Sequence, residues 1–402
     1  MYKEVENGIT APEGFLASGI HCGIKKKNKD LALIYSEVPA NTAAVFTTSK
    51  VLAAPVVVCK RQLEKASQIR VILINSGIAN ACTGEKGLQD AWDIVKDTAG
   101  LLDVYEHEVL VSSTGIIGKP LPVNNIIKGV YNARKELSKN GSILAAEAIK
   151  TTDKCTKEIA VELMIDHKTV KIGGIAKGSG MIAPNMATML AFITTDANVS
   201  SELLQYFLKK AVERTFNRIS VDGDMSTNDM VVAMANGMAG NKELYNTNDP
   251  DYRIFYEALE FVLLRLSKMI VIDGEGATKF IEVRINGAAT ENNALKAAKA
   301  ISNSNLVKTA MYGEDANWGR ILAAIGYSGI EFKPENVEIY FDNLQILSKN
   351  YGAGFCEDKA RKILMGKEIK LTVDLNQGYK TATYMTCDLS KDYVDINANY
   401  RT

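Results

Sequence analysis

Thr188 is the residue of this chain with the most distinctive chemical opportunity. It ends the run Lys177-Gly-Ser-Gly-Met-Ile-Ala-Pro-Asn-Met-Ala-Thr188 and opens Thr188-Met-Leu-Ala-Phe-Ile-Thr-Thr195. A threonine hydroxyl is a poor nucleophile until a base takes its proton, and an N-terminal threonine carries that base in its own α-amine. An internal threonine gains it only if the chain is cut before it. Ala187 is small enough to let the hydroxyl reach the preceding carbonyl. The plainer alternative is a glycine- and proline-rich loop entering a core strand, with Thr188 a satisfied hydroxyl. Such loops are weak signals, and spacing by itself favours that alternative.

Other polar groups stand where strands are expected to end. Ser112-Ser113-Thr114-Gly115 follows the apolar Glu108–Val111 stretch. A hydroxyl beside a glycine amide can stabilise an oxyanion, although a simple turn explains the same residues. Asn75-Ser-Gly-Ile-Ala-Asn80 closes another apolar stretch in the same way. Glu275, in Asp273-Gly-Glu-Gly276, is suited either to a substrate amine or to a turn. Gly319-Arg320 suggests a helix start close to a site; the alternative is a core Trp318 and an Arg320 paired with a carboxylate. Ser220-Val-Asp-Gly-Asp-Met-Ser-Thr-Asn-Asp229 alternates acids and amides around a glycine, but it lacks the spacing and terminal glutamate of a calcium loop. It reads as a hydrogen-bonded turn, and no metal is expected. The six cysteines form no Cys-x-x-Cys and the three histidines no ligand-like pair. Reduced thiols and chemistry without histidine are the expectation.

These groups need rigid elements to position them. Strands are expected at Leu31–Tyr35, Ala44–Thr48, Val51–Val58 and Ile69–Ile74, with a helix from about Gly87. Helices are expected at 123–139 and 143–150, followed by a hairpin of Glu162–Ile165 and Thr169–Ile172. After the strand that Thr188 opens, Ser200 caps a helix over 202–217. A long helix over 252–268 leads into a strand at Ile270–Ile272, and 292–302 is helical. Strands return at Val337–Phe341, Ile369–Leu375 and Thr381–Cys387. The chain end, rich in Asn and Asp, reads as docked. Strands in each half with helices between them imply an α+β fold, a layered sandwich in one unit.

Composition narrows the function classes. The chain has 402 residues, 47% of them hydrophobic, with 47 basic and 47 acidic side chains. A balanced charge supplies no field for nucleic acid or an anionic membrane. No apolar run is long enough to span a bilayer. Met1-Tyr-Lys-Glu-Val-Glu6 lacks the apolar segment of a secretory signal, so a cytoplasmic location is expected.

Several ordered motifs together resemble the ornithine acetyltransferases, or glutamate N-acetyltransferases. They are Ala176–Leu190, Ser220–Asp224 with Ser226–Asp229, Asp273–Ala277, Leu306–Ala310 with Asn317–Arg320, and Cys387–Leu389 with Tyr393-Val394, Ile396–Ala398 and Tyr400–Thr402. The resemblance implies the self-cleaving, aminopeptidase-like type of α/β sandwich. Cleavage between Ala187 and Thr188 would give an α chain, 1–187, and a β chain, 188–402, associated as two of each. Thr188 would take acetyl from N-acetylornithine and pass it to glutamate, with acetyl-CoA a second donor in some members and no bound cofactor. Thr114 and Gly115 would form the oxyanion hole. Thr151, Thr152, Lys177, Thr188, Glu275, Asn397 and Thr402 would contact substrate. Ile78, Ser49 and Met225 depart from the family pattern, and Ile78 raises the question of an altered pocket wall. Two other readings stand beside this one. A threonine-nucleophile amidohydrolase or aminopeptidase would let water remove the acyl group, and an uncleaved binding protein would do no chemistry.

Overall fold

The computed structural model describes residues 2–183, 189–248 and 250–399. The positions expected to matter at Ala187, Thr188 and Thr402 lie outside the described residues.

Among the described residues the strands form two sheets. The larger contains β1 (Tyr2–Val5), β2 (Phe15–Ile20), β3 (Leu31–Phe46), β4 (Gln68–Ile78), β5 (Val109–Ile116), β6 (Lys157–Ile165), β7 (Lys168–Lys177), β8 (Leu190–Thr195) and β10 (Met230–Ala235). The smaller contains β9 (Ile219–Ser220), β11 (Phe280–Ala288), β12 (Glu338–Phe341), β13 (Leu344–Leu347), β14 (Glu368–Asp374) and β15 (Lys380–Cys387). Strand order in the larger sheet is β1-β6-β7-β8-β10-β3-β4-β5, with β2 added on β3. Strands β8 and β10, from beyond residue 188, therefore lie between β7 and β3, which precede it.

Hydrophobic patterning explains the layers. Every residue of β8 and of β10 is buried, as expected for strands covered on both faces. Leu190 and Phe192 join the core beneath α1 (Ala54–Lys65), α2 (Gly84–Leu102), α3 (Val123–Lys135) and α4 (Ser142–Ile149). Ala191 and Ile193 point the other way, into the core of α5 (Ser201–Arg214) and α6 (Tyr252–Ile272). The smaller sheet is covered on one face by α7 (Glu291–Asn303), α8 (Asn305–Tyr312), α9 (Trp318–Gly326) and α10 (Glu357–Leu364). Its strand β14 accordingly alternates, with Ile369, Leu371 and Val373 buried between more exposed polar neighbours. Helix α11 (Lys391–Asn399) ends the described chain. The fold is a layered α+β sandwich.

Four local expectations need correction. Val51–Val58 is not a strand: α1 begins at Ala54, and Pro55 occupies its first turn, where a missing N–H is harmless. Pro55, Val56, Cys59 and Gln62 recur at helical spacing and are buried, which outweighs the β-branched valines. Ile270–Ile272 continues α6, because Ile270 and Val271 pack into the same core as the rest of that helix. Leu31–Tyr35 and Ala44–Phe46 are parts of one strand, β3, with an irregularity between Tyr35 and Ala40 around Pro39, and Thr47 and Thr48 lie beyond its end. Ser112–Gly115 continues β5 rather than turning.

Candidate active site

Parallel strands β4 and β5 end together in a bulge at Gly77–Ile78. Gly115 has φ +126°, and a Cβ there would lie 2.3 Å from the Gly77 carbonyl carbon. Only glycine fits that close approach of two backbones. Thr114 and Gly115 thereby reach the wall of a cleft enclosing about 860 Å³ of empty space, part of it open to solvent. Thr151, Thr152, Lys177, Glu275 and Asn397 line the same cleft. These seven residues come from positions far apart in the chain. Met189, bonded to Thr188, lines it too.

A buried charge network holds this wall. Lys177 ends β7, and its Nζ donates to Thr114 Oγ1 at 3.4 Å. The Asp153 carboxylate accepts from Gly178 N at 2.7 Å, from Thr151 N at 2.9 Å and from Lys157 Nζ at 2.7 Å. Lys157 Nζ also donates to Asp273 Oδ2 at 2.5 Å, which further accepts from Lys154 N and Cys155 N. Ser179 Oγ donates to the Asp273 carbonyl at 2.6 Å, and Glu275 N to the Ser179 carbonyl at 2.9 Å. One lysine and two aspartates thus tie the Thr151–Cys155 loop to the Lys177–Gly180 loop and to the end of α6. Glu275 is held last: Asn397 Nδ2, on α11, donates to its Oε2 at 2.9 Å.

The family model for ArgJ matches residues 16–402. The chain belongs to the ArgJ family. It is 51% identical over 402 residues to a protein of Caldanaerobacter subterraneus subsp. tengcongensis, covering 99% of each. It is 49% identical over 396 residues to one from Thermotoga neapolitana, covering 97% of this chain and 99% of the relative. Both relatives are named arginine biosynthesis bifunctional protein ArgJ. A solved Mycobacterium tuberculosis chain, described as ornithine acetyltransferase complexed with ornithine, is 38% identical, with a TM-score of 0.44. It covers 46% of this chain and 100% of its own length. As an ArgJ-family member the chain is an arginine-biosynthesis enzyme.

In this ArgJ-family site, burial lowers the Lys177 pKa, while Asp153 works against burial and Lys157 adds to it. Burial would raise Asp153, yet Lys177 and Lys157 prevail and hold it well below the usual carboxylate range. Asp222 accepts from Met181 N at 2.6 Å and Ile182 N at 2.8 Å, which anchors the segment leading towards Thr188. Burial nevertheless raises its pKa.

Asp222, Asp224, Ser226, Asn228, Asp229 and Tyr393 line the cleft without having been singled out as site residues. The alternating acids and amides of Ser220–Asp229 were the available signal, but they read as a turn. Tyr393 stands four residues before Asn397 on one face of α11. Arg320 is elsewhere: its Nη1 donates to the Leu306 carbonyl at 2.9 Å, in a surface groove with Asn317 and Tyr327. Ile78 is 3% exposed in the core and does not line the cleft, nor does Met225. Among the described residues no group of three or more His, Cys, Asp or Glu is arranged to hold a metal, and no helix is long and apolar enough to cross a membrane. All six cysteines are free.

Proposed function

We propose that this chain cuts itself between Ala187 and Thr188 and then exchanges acetyl between N-acetylornithine and glutamate. The observation that carries this reading is the one cleft lined by Thr114, Gly115, Lys177, Glu275 and Asn397 together with Met189, the residue bonded to Thr188. The Thr188 hydroxyl gives its proton to the freed α-amine and attacks the acetyl carbonyl. Charge builds on one oxygen, and Thr114 and Gly115 donate to it; losing one such donor costs roughly a hundred- to a thousandfold in rate. Ornithine leaves, and glutamate takes the acetyl group from Thr188. Lys177 and Glu275 supply the opposite charges that an amino acid's carboxylate and amine require. Thr151, Thr152, Asn397 and Thr402 complete the substrate contacts. The word bifunctional in the relatives' names supports acetyl-CoA as a second donor. The two fragments stay together, two of each, in the cytoplasm.

Intact mass of the purified protein beside Thr188→Ala is the first test. Wild type is expected as two fragments meeting at Ala187/Thr188, and the mutant as one inactive chain. A folded, uncut wild type would sink the mechanism. Net hydrolysis of N-acetylornithine with no acetyl-glutamate formed would favour the amidohydrolase instead.

A further inference from the structure

Asp229 has no part in the chemistry above, yet it stands in the wall of the same cleft. The sheet fixes its place. Leu190 pairs with Lys177 on one side and Met230 on the other. Asp229 precedes Met230, so it lies beside Met189, and the Met230 N–H reaches the Met189 carbonyl at 3.3 Å. The Asp229 carbonyl accepts from Thr47 N at 3.0 Å, which locks the backbone from the other side. The residue is 2% exposed, and its Oδ2 has no hydrogen-bond partner among the described residues. An orphaned buried oxygen is costly and asks for a functional reason. Burial also pushes this carboxyl well above its usual range; Lys177, Ser226 and the Met189 backbone offset only part of that. A carboxyl whose neutral form is favoured by burial is suited to exchanging a proton with an amine.

We propose that Asp229 is the acid–base residue on the nitrogen side of the acetyl exchange. This rests on the acetyl-transfer reading and deepens it. As the Thr188 oxygen bonds to the acetyl carbon, its hydroxyl proton moves to the α-amine. The carbon–nitrogen bond of the donor breaks, and the Asp229 carboxyl passes its proton to the departing nitrogen. In the second half the neutral amine of glutamate attacks the acetyl ester and gives a proton to the Asp229 carboxylate. The α-ammonium returns its proton to the Thr188 oxygen. Every group ends as it began, and no further reactant is needed.

The test is Asp229→Asn with two acetyl donors. N-acetylornithine has a nitrogen leaving group that must be protonated, whereas p-nitrophenyl acetate has one that need not be. The mutant is expected to appear as two fragments by intact mass, to lose about a hundred- to ten-thousandfold in exchange from N-acetylornithine, and to be acetylated by the ester at the wild-type rate. Asp229→Glu retains the proton-holding group and should recover part of the exchange. If Asp229→Asn stays uncut, Asp229→Glu carries the comparison, with a larger loss on the amide than on the ester. Equal losses on both donors would mean a structural role, and no loss would mean no role; either overturns the proposal while wild-type exchange stands. Absence of exchange in the wild type would instead remove the functional reading, and the relay with it.

Discussion

At the residue scale, the position of Glu275 depends on having no side chain at Gly180. A Cβ on Gly180 would lie 2.3 Å from the Glu275 carboxyl carbon. Gly180 has no left-handed backbone angle, so alanine there is a purely steric probe. Gly180→Ala would move the carboxyl group, the far end of a flexible side chain, away from its Asn397 partner. The expected result is a KM for N-acetylornithine raised about tenfold, which corresponds to about 1.4 kcal/mol of lost substrate binding, with processing by intact mass unchanged. An unchanged KM would show that Glu275 does not meet substrate. The space that a side chain at this position would take is the space the Glu275 carboxylate fills.

At the element scale, the Asp153–Lys157–Asp273 network is the joint between two loops and a helix end. Asp153 and Lys157 are almost wholly buried. Breaking such a buried pair from one side typically costs about 3–5 kcal/mol. Asp153→Asn should lower the denaturation midpoint by a corresponding amount at pH 7. The sign with pH follows from the shift: a carboxylate held below its ordinary 3.8 stabilises the fold above that value and loses the contribution as pH falls beneath it. The gap between wild type and mutant should therefore narrow only below pH 3.8, as read by urea melts across pH. A constant gap would assign the loss to packing alone. Several elements were legible beforehand. Ser200 caps α5 through Leu203 N, and Thr169–Ile172 falls in β7 of the hairpin. Helix α1 was not, because three valines near Pro55 carry strand propensity, while the helical spacing shows only in the burial of Pro55, Val56, Cys59 and Gln62 together.

At the scale of the whole molecule, the proposed cut would divide the chain across the larger sheet. Residues Ile172–Lys177 pair with β8, and β10 pairs with Asn41–Phe46. The segment after residue 188 thus supplies two central strands of a sheet whose flanks come from the segment before it. A fully buried large apolar side chain such as Phe192 contributes about 1.5–3 kcal/mol, and both strands are buried throughout. The fragments are expected to co-elute in native gel filtration and to separate only in denaturant. Separation under native conditions would mean that the shared sheet does not hold them.

Taken alone, the sequence carried the apolar run of β8, the layered α+β class, the absence of a basic field, and the threonine with a small residue before it. Those are local properties: propensity, periodicity and side-chain chemistry are written in neighbouring residues. Its ordered motifs, by their resemblance to a family, also named Thr114, Lys177, Glu275 and Asn397. The tertiary structure decided that these residues share one cleft, that Arg320 does not, and that Asp229 stands in the wall with an oxygen unpartnered among the described residues. Such convergence depends on strand order and on a buried ion network linking positions more than a hundred residues apart. No local pattern encodes which strand will lie beside β8; only burial on both faces and the pairing of every backbone group select it.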